Sequence, residues 1–137
     1  MNPSYGSSLV KVSEAQFQKA VIELAHRFNW RVAHFKTAQT SKGAWVTPVA
    51  ADGAGFPDLC LVRERIVFIE LKAEKGTMSD NQLAWGDALR VAGVEYHCFK
   101  PRDWDEIERV LLTPRREHLR RITELGQEIE NQRGAAA

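Results

Sequence analysis

The order of apolar patterns in this 137-residue chain predicts an α/β sandwich, a central mixed β-sheet with helices on both faces. Three observations carry that expectation. A capped helical stripe opens the ordered part of the chain at Ser13, and two short apolar runs follow on either side of a charged turn at Arg63-Glu64-Arg65. A second helix and a further strand then succeed each other between Ser79 and Phe99.

Residues 1–11, with Pro3, Gly6, Ser7 and Ser8, show no periodicity and are expected to be a flexible tail. Ser13 with Gln16 three places on forms a capping box, and Phe17, Ala20, Val21, Leu24, Ala25 and Phe28 make one apolar stripe behind it. Trp30 to Lys36 reads as a strand that alternates Val32, His34 and Lys36 with Arg31, Ala33 and Phe35. Residues 37–55 have no clear periodicity, and a segment of that length inside a compact domain is usually functional or disordered. Within it Gly53 and Gly55 suit a turn that brings backbone close just before Asp58. The hairpin strands follow, then a second capping box of Ser79 and Gln82, which opens a helix through Arg90 with Leu83, Ala84, Asp87, Ala88 and Val91 along one side. Gly93 ends it, Val94 to Phe99 reads as a strand, and Pro101 to Leu112 as a third helix opened by Asp103 and Glu106.

Residues 12–112 therefore read as one domain and residues 113–137 as a helical extension set off by Pro114. In the extension Leu119, Ile122, Leu125 and Ile129 form a narrow stripe, with Arg115, Arg116, Arg120 and Arg121 early and Glu124, Glu128 and Glu130 late. Such a stripe docks on its own domain or on a partner, and a two-fold homodimer is the simplest partner. The four arginines either track nucleic acid or form a solvated face. Gly134 and the alanines after it read as a frayed end.

Composition narrows the function classes. At 44% hydrophobic the chain suits one domain with a modest core, and 19 bases against 18 acids leave no global field to recruit a polyanion, so any basic surface is local. Cys60 and Cys98 fall in predicted strands without redox or zinc spacing, as reduced core thiols of a cytoplasm-like compartment would. His26, His34, His97 and His118 show no ligand spacing for zinc. Met1-Asn2-Pro3 does not read as a secretory leader, and no apolar run approaches a membrane span.

The chemistry concentrates in the hairpin. Asp58, Glu70 and Lys72 sit in or beside strands that read as buried, and a carboxylate there costs several kcal/mol unless something pairs with it. Glu70 and Lys72 are two apart on a strand and share a face, with the Leu71 carbonyl between them. Asp58 lies twelve positions (70 minus 58) before Glu70. A two-residue turn at Glu64-Arg65 would set Asp58 opposite Leu71 on the wrong face, so convergence requires a three- or five-residue turn, or a bulge near Pro57. Two carboxylates and a carbonyl at one point suit Mg2+ or Mn2+, while Lys72 can orient water or offset charge on a phosphate. The competing reading is structural: Lys72 neutralises Glu70, and Asp58 caps the turn after Gly55.

Around this centre stand further candidates. Glu14, in the first helical turn, either serves the helix dipole or adds a third acid, and Gln18 is one turn along. His34 either lines a cleft or is a satisfied sheet histidine. Lys36, Lys42 and Trp45 offer charges for phosphates and a ring for stacking on a base, unless their segment is a surface excursion with Trp45 packed back on the sheet. Lys75 is placed for a phosphate contact, and Gln82 has an adequate structural role as cap partner.

The ordered set of Glu14, Gly55-Phe56-Pro57-Asp58-Leu59, Ile69-Glu70-Leu71-Lys72 and Ser79-x-x-Gln82 resembles the small stand-alone VRR-NUC domains of the PD-(D/E)xK nuclease superfamily, common in bacteriophages and bacteria. The likeness covers about residues 12 to 111. It implies a restriction-endonuclease-like sandwich and a divalent-metal-dependent endodeoxyribonuclease, some relatives acting on branched junctions. It further implies Asp58, Glu70, Glu14 and the Leu71 carbonyl as metal ligands, Lys72 as the lysine of the motif, and Gln82 near the catalytic face. DNA is then the partner, no small-molecule substrate is expected, and the setting is bacterial or phage-infected host cytoplasm. The opposing class is a binding module of the same fold without turnover.

Overall fold

The computed structural model describes residues 12–35, 38–46, 49–114 and 116–136. Helix α1 (Glu14–Arg27) begins where the capping box predicts: the Ser13 hydroxyl accepts from the Gln16 N–H at 3.1 Å, and the Gln16 side chain accepts from the Ser13 N–H at 3.0 Å. Strand β1 (Arg31–His34) follows, and Lys36 lies outside the described residues. Within residues 37–55 the structure has a small antiparallel ribbon, β2 (Ala38–Gln39) with β3 (Trp45–Val46), where no element was expected. Two-residue strands are too short for a period-2 pattern to register.

The central sheet has four strands in the order β1, β4 (Leu59–Val62), β5 (Ile66–Leu71), β6 (Glu95–Phe99). The pairs β1–β4 and β4–β5 are antiparallel and β5–β6 is parallel, so the sheet is mixed. Helix α2 (Asp80–Val91) makes the parallel connection possible. On one face α1 and α3 (Trp104–Leu112) cover the sheet, burying Phe17, Val21, Leu24, Ile107 and Leu111 against Leu59, Leu61, Val67, Ile69 and Leu71. A short 3-10 turn, Pro101–Asp103, precedes α3, and Asp103 reaches back to the Lys100 N–H at 2.8 Å instead of capping α3 with its side chain.

Helix α2 covers the other face, but not with the side predicted. Leu83, Ala84, Asp87, Ala88 and Val91 face solvent, whereas Gln82, Trp85 and Leu89 are half-buried and Gly86 is buried. Gly86 decides the facing, because a Cβ there would sit 2.8 Å from the Tyr96 ring; only a glycine lets the helix lie so close to β6. Reading apolarity alone favoured leucine and valine over the residue that makes the contact.

The extension forms α4 (Arg116–Ala135), which runs through Gly134 without fraying there. Its described side chains, Leu125 and Ile129 included, are exposed, so the expectation that the stripe docks on its own domain fails for them. The side chains of Leu119 and Ile122, like those of Arg116 and Arg121, and all of Arg115, lie outside the described residues.

The turn of the β4–β5 hairpin is built from its own charges. Arg63 and Arg65 lie over the Trp30 ring at 4.5 and 4.9 Å, and Glu64 pairs with both arginines. Arg65 donates to Glu95 at 2.9 Å and to the Val110 carbonyl at 2.7 Å. Arg63 and the Trp30 indole donate to the Leu111 carbonyl at 3.1 and 2.8 Å, so the turn caps the C-terminus of α3.

Candidate active site

Register decides whether the acids of the hairpin can meet. Val62 pairs with Ile66, which makes Arg63-Glu64-Arg65 a three-residue turn, and Leu59 pairs with Ile69. One step further along the same register, Asp58 comes opposite Glu70. This is the longer turn that convergence requires. Asp58 is fixed at three points: its carbonyl accepts from the Phe35 N–H of the β1 end at 2.8 Å, one carboxylate oxygen accepts from the Leu71 N–H at 2.8 Å, and Pro57 before it is buried.

Glu70 is 1% exposed, and its Oε1 accepts from the Gln82 amide at 2.8 Å with the Lys72 ammonium 3.7 Å away. Gln82 meanwhile accepts from the Ser79 N–H at 2.9 Å through its own Oε1 and donates its backbone N–H to the Ser79 hydroxyl at 3.2 Å. One carboxamide therefore ties the start of α2 to the buried acid. Gly55, at φ +83°, lets the preceding loop lie against that helix start: a Cβ would meet the Asn81 carbonyl carbon at 2.5 Å.

These residues line one cleft of about 530 Å³ at the end of the sheet, whose walls bring together Glu14, Gln18, His34, Asp58, Glu70, Lys72 and Gln82. A larger share of the sequence expectation converges here than its scatter along the chain suggests. Other predicted contacts do not line the cleft. Lys42 is exposed on the β2–β3 turn and Lys75 on the turn after β5, while Lys36 and the Trp45 side chain lie outside what is described. Sequence reasoning missed the cleft positions Phe35, Phe56, Ser79 and Asn81. Phe56 stands edge-on to Phe35, Phe68 and Trp85 with ring centroids 5.1 to 5.7 Å apart, an aromatic support beneath the Pro-Asp turn. The phenylalanine beside Pro57 was the signal available for it.

The electrostatics set the three acids apart from ordinary carboxylates. Burial, and next the charge of Asp58, pushes Glu70 up to about 8, with Lys72 opposing. Burial also raises Asp58, against the Leu71 N–H and Lys72, which lower it. Glu14 is raised by burial too, with Lys72 lowering it and Asp58 raising it. Opposed carboxyls short of positive charge hold a proton between them or take up a cation. Among the described residues no three acids, histidines or cysteines are grouped closely enough to hold a metal ion.

The family model for the VRR-NUC domain matches residues 13–103, well over half of the chain. The chain belongs to the VRR-NUC domain family. A VRR-NUC domain is a nuclease-type domain, with DNA as substrate, and the family suggests use of a divalent metal; the PD-(D/E)xK motif reading agrees with it. No curated protein and no solved structure matches the chain. The matched stretch takes in α1, the whole sheet and α2, and stops at the 3-10 turn before α3. No helix among the described residues is long and apolar enough to cross a membrane.

Proposed function

We propose that this VRR-NUC domain is an Mg2+- or Mn2+-dependent endodeoxyribonuclease whose reaction runs in the Asp58–Glu70–Lys72 cleft. The observation that carries the reading is the register: it sets the half-buried Asp58 opposite the buried Glu70, each raised by burial, with a lysine beside them. The donor set suits a hard cation. Magnesium commonly binds through one or two carboxylates and keeps several waters, so Asp58, Glu70 and the Leu71 carbonyl suffice without a third direct acid, and Glu14 completes the set through water.

A bound divalent ion supplies positive charge for the opening phosphodiester and acidifies water in the site. The chain's own groups do the rest. Asp58 and Glu70 are held in place before any ligand arrives, by the Leu71 N–H and the Gln82 amide. Lys72 orients the attacking water and offsets charge on the phosphate. Gln18 and His34 line the cleft beside them and serve as secondary contacts to substrate. Lys36, Lys42, Trp45 and Lys75 are assigned to DNA, Lys42 and Lys75 from outside the cleft. The DNA is duplex or branched, with a Holliday junction in phage or bacterial DNA processing as the structured substrate to try first, and the active particle is a homodimer in the cytoplasm.

Cleavage of labelled linear duplex and four-way DNA with Mg2+, Mn2+ or EDTA tests this, alongside Asp58→Ala and Lys72→Ala. Metal-dependent scission by the wild type alone is the expected result. DNA binding that survives both substitutions, with no scission by any sample, would establish the binding-module reading in its place.

A further inference from the structure

The end of the sheet beside the cleft carries charge that the fold does not use. In the parallel pair β5–β6 the last partners are Leu71 and Phe99, and the Lys72 N–H still donates to the Phe99 carbonyl at 3.0 Å. One step further along that register, Lys72 and Lys100 stand side by side. Lys100 has extended backbone, at φ −118° and ψ 165°, so the alternation of β6 continues through it. Its side chain therefore shares the face of Cys98, which is also the face of Glu70 and Lys72. The Cys98 thiol registers both lysines: burial and then Glu70 push it up, and Lys72 and Lys100 act in the opposite direction.

Like charges directly opposite each other on neighbouring strands cost stability. Lys72 has Glu70 at 3.7 Å to offset it. Lys100 has no such offset: the Asp103 carboxylate accepts from its backbone N–H, and among the described residues no acid pairs with its ammonium or with that of Lys75. Glu74 is taken up by Arg102, whose Nε lies 2.7 Å from it and whose backbone N–H donates to it at 3.1 Å. Residues 72–75 and 100–103 together hold four bases and two acids, an excess of two where the whole chain has an excess of one. The other flank of the cleft is acidic. Asn81 lines both the cleft and a shallow groove along α2 that also carries Asp52, and Asp80 and Asp87 are exposed on the same helix. A polyanion leaving the cleft is repelled there and attracted over the ends of β5 and β6.

We propose that the DNA backbone leaves the cleft over Lys72 toward β6, and that Lys100, with Lys75 on the neighbouring turn, binds the phosphates next to the scissile one. The direction rests on the reading of the cleft as the reaction centre, whereas the lysine contacts are open to a test by binding alone. Lysine suits the task, as a point charge on a flexible four-carbon stem that follows a backbone without reading bases. Lys100 is thus a substrate-binding residue and takes no part in breaking the bond.

Fluorescence anisotropy of a labelled short duplex, titrated with the full chain in EDTA at about 50 to 200 mM potassium chloride, tests the contacts without cleavage. Lys100→Gln should weaken binding about tenfold at the lowest salt and reduce the slope of log K against log salt by about 0.9, the share of one phosphate contact. Adding Lys75→Gln should remove about as much again, and Lys100→Arg should keep the wild-type slope. Lys19→Gln, in a different groove on α1, is the control and should leave the slope as it is. The melting temperature of Lys100→Gln should hold or rise, because a like charge beside Lys72 is gone. A wild-type slope in Lys100→Gln, with or without a lower melting temperature, or an equal loss in Lys19→Gln, would overturn the proposal and leave the chemistry of the cleft standing. No metal-dependent scission by the wild type, with the slope changes as expected, would overturn the cleft reading and the direction and keep the lysine contacts.

Discussion

At the turn of the β4–β5 hairpin Arg63, Glu64 and Arg65 satisfy one another, whereas at its open end Asp58 and Glu70 face each other with Lys72 3.7 Å from Glu70. The hydrogen bond from Arg63 leads in holding Glu64 down to about 2, while burial and the opposing acid push Glu70 up to about 8. Both ends carry mixed charge on the same two strands. The chain builds a closed ion network, tied to α3, where the charges serve the fold. It leaves an excess of carboxylate where a cleft opens. Charges that serve the fold are neutralised by their neighbours, whereas in the proposed site the neighbours leave part of the carboxylate charge unbalanced.

Substitutions at the two ends should therefore separate activity from stability. The largest effect belongs to the open end: Asp58→Asn or Lys72→Ala should lower DNA cleavage about a thousandfold or more, with Asp58→Asn leaving the metal-free melting temperature unchanged or higher. Single-turnover cleavage and thermal melting on the same preparations check both halves. At the turn, Arg65→Met should cost about 3 kcal/mol in urea unfolding, because Glu95 and Glu64 lose a buried partner, while cleavage per folded molecule stays near wild type. Equal losses of activity at both ends would erase the distinction.

A pH series sharpens it further. A carboxyl whose folded pKa is raised holds its proton longer in the folded chain, so its contribution to stability declines as pH rises from the unfolded value, near 4.5, to the folded one near 8. In EDTA the melting temperature should thus fall between pH 5 and 8, and Glu70→Gln should flatten that fall. Glu64, lowered to about 2, contributes in full across that window and loses its part only as pH drops toward 2. The smallest effect is expected between the two ends' regimes, at Gln82→Ala: about 1 kcal/mol of stability from the cap, and about tenfold in cleavage from an unheld Glu70.

Much of this arrangement was legible because it rests on local rules. Ser13 with Gln16 and Ser79 with Gln82 announce helix starts in any context, and counting residues through the hairpin shows which turn lengths allow Asp58 to meet Glu70. What stayed hidden depends on tertiary approach. Gly86 buries α2 by touching Tyr96, and no apolar periodicity reveals a contact made by a missing side chain. The capping of α3 by Arg63 and Arg65 joins residues 45 to 48 positions apart, and the double use of the Gln82 amide needs the position of Glu70 in space. The short β2–β3 ribbon carries too few residues to show alternation at all.

The central claim is that the opposed acids are a cation site and not an internal salt bridge. The direct measurement is the melting temperature of EDTA-stripped protein at pH 8 as millimolar Mg2+ or Mn2+ is added, for the wild type and for Asp58→Asn combined with Glu70→Gln. A metal-dependent rise in the wild type, absent from a double variant that is itself more stable without metal, is the predicted result. A wild type that does not respond to either ion, with a double variant that melts lower, would show that the two carboxylates serve the fold alone.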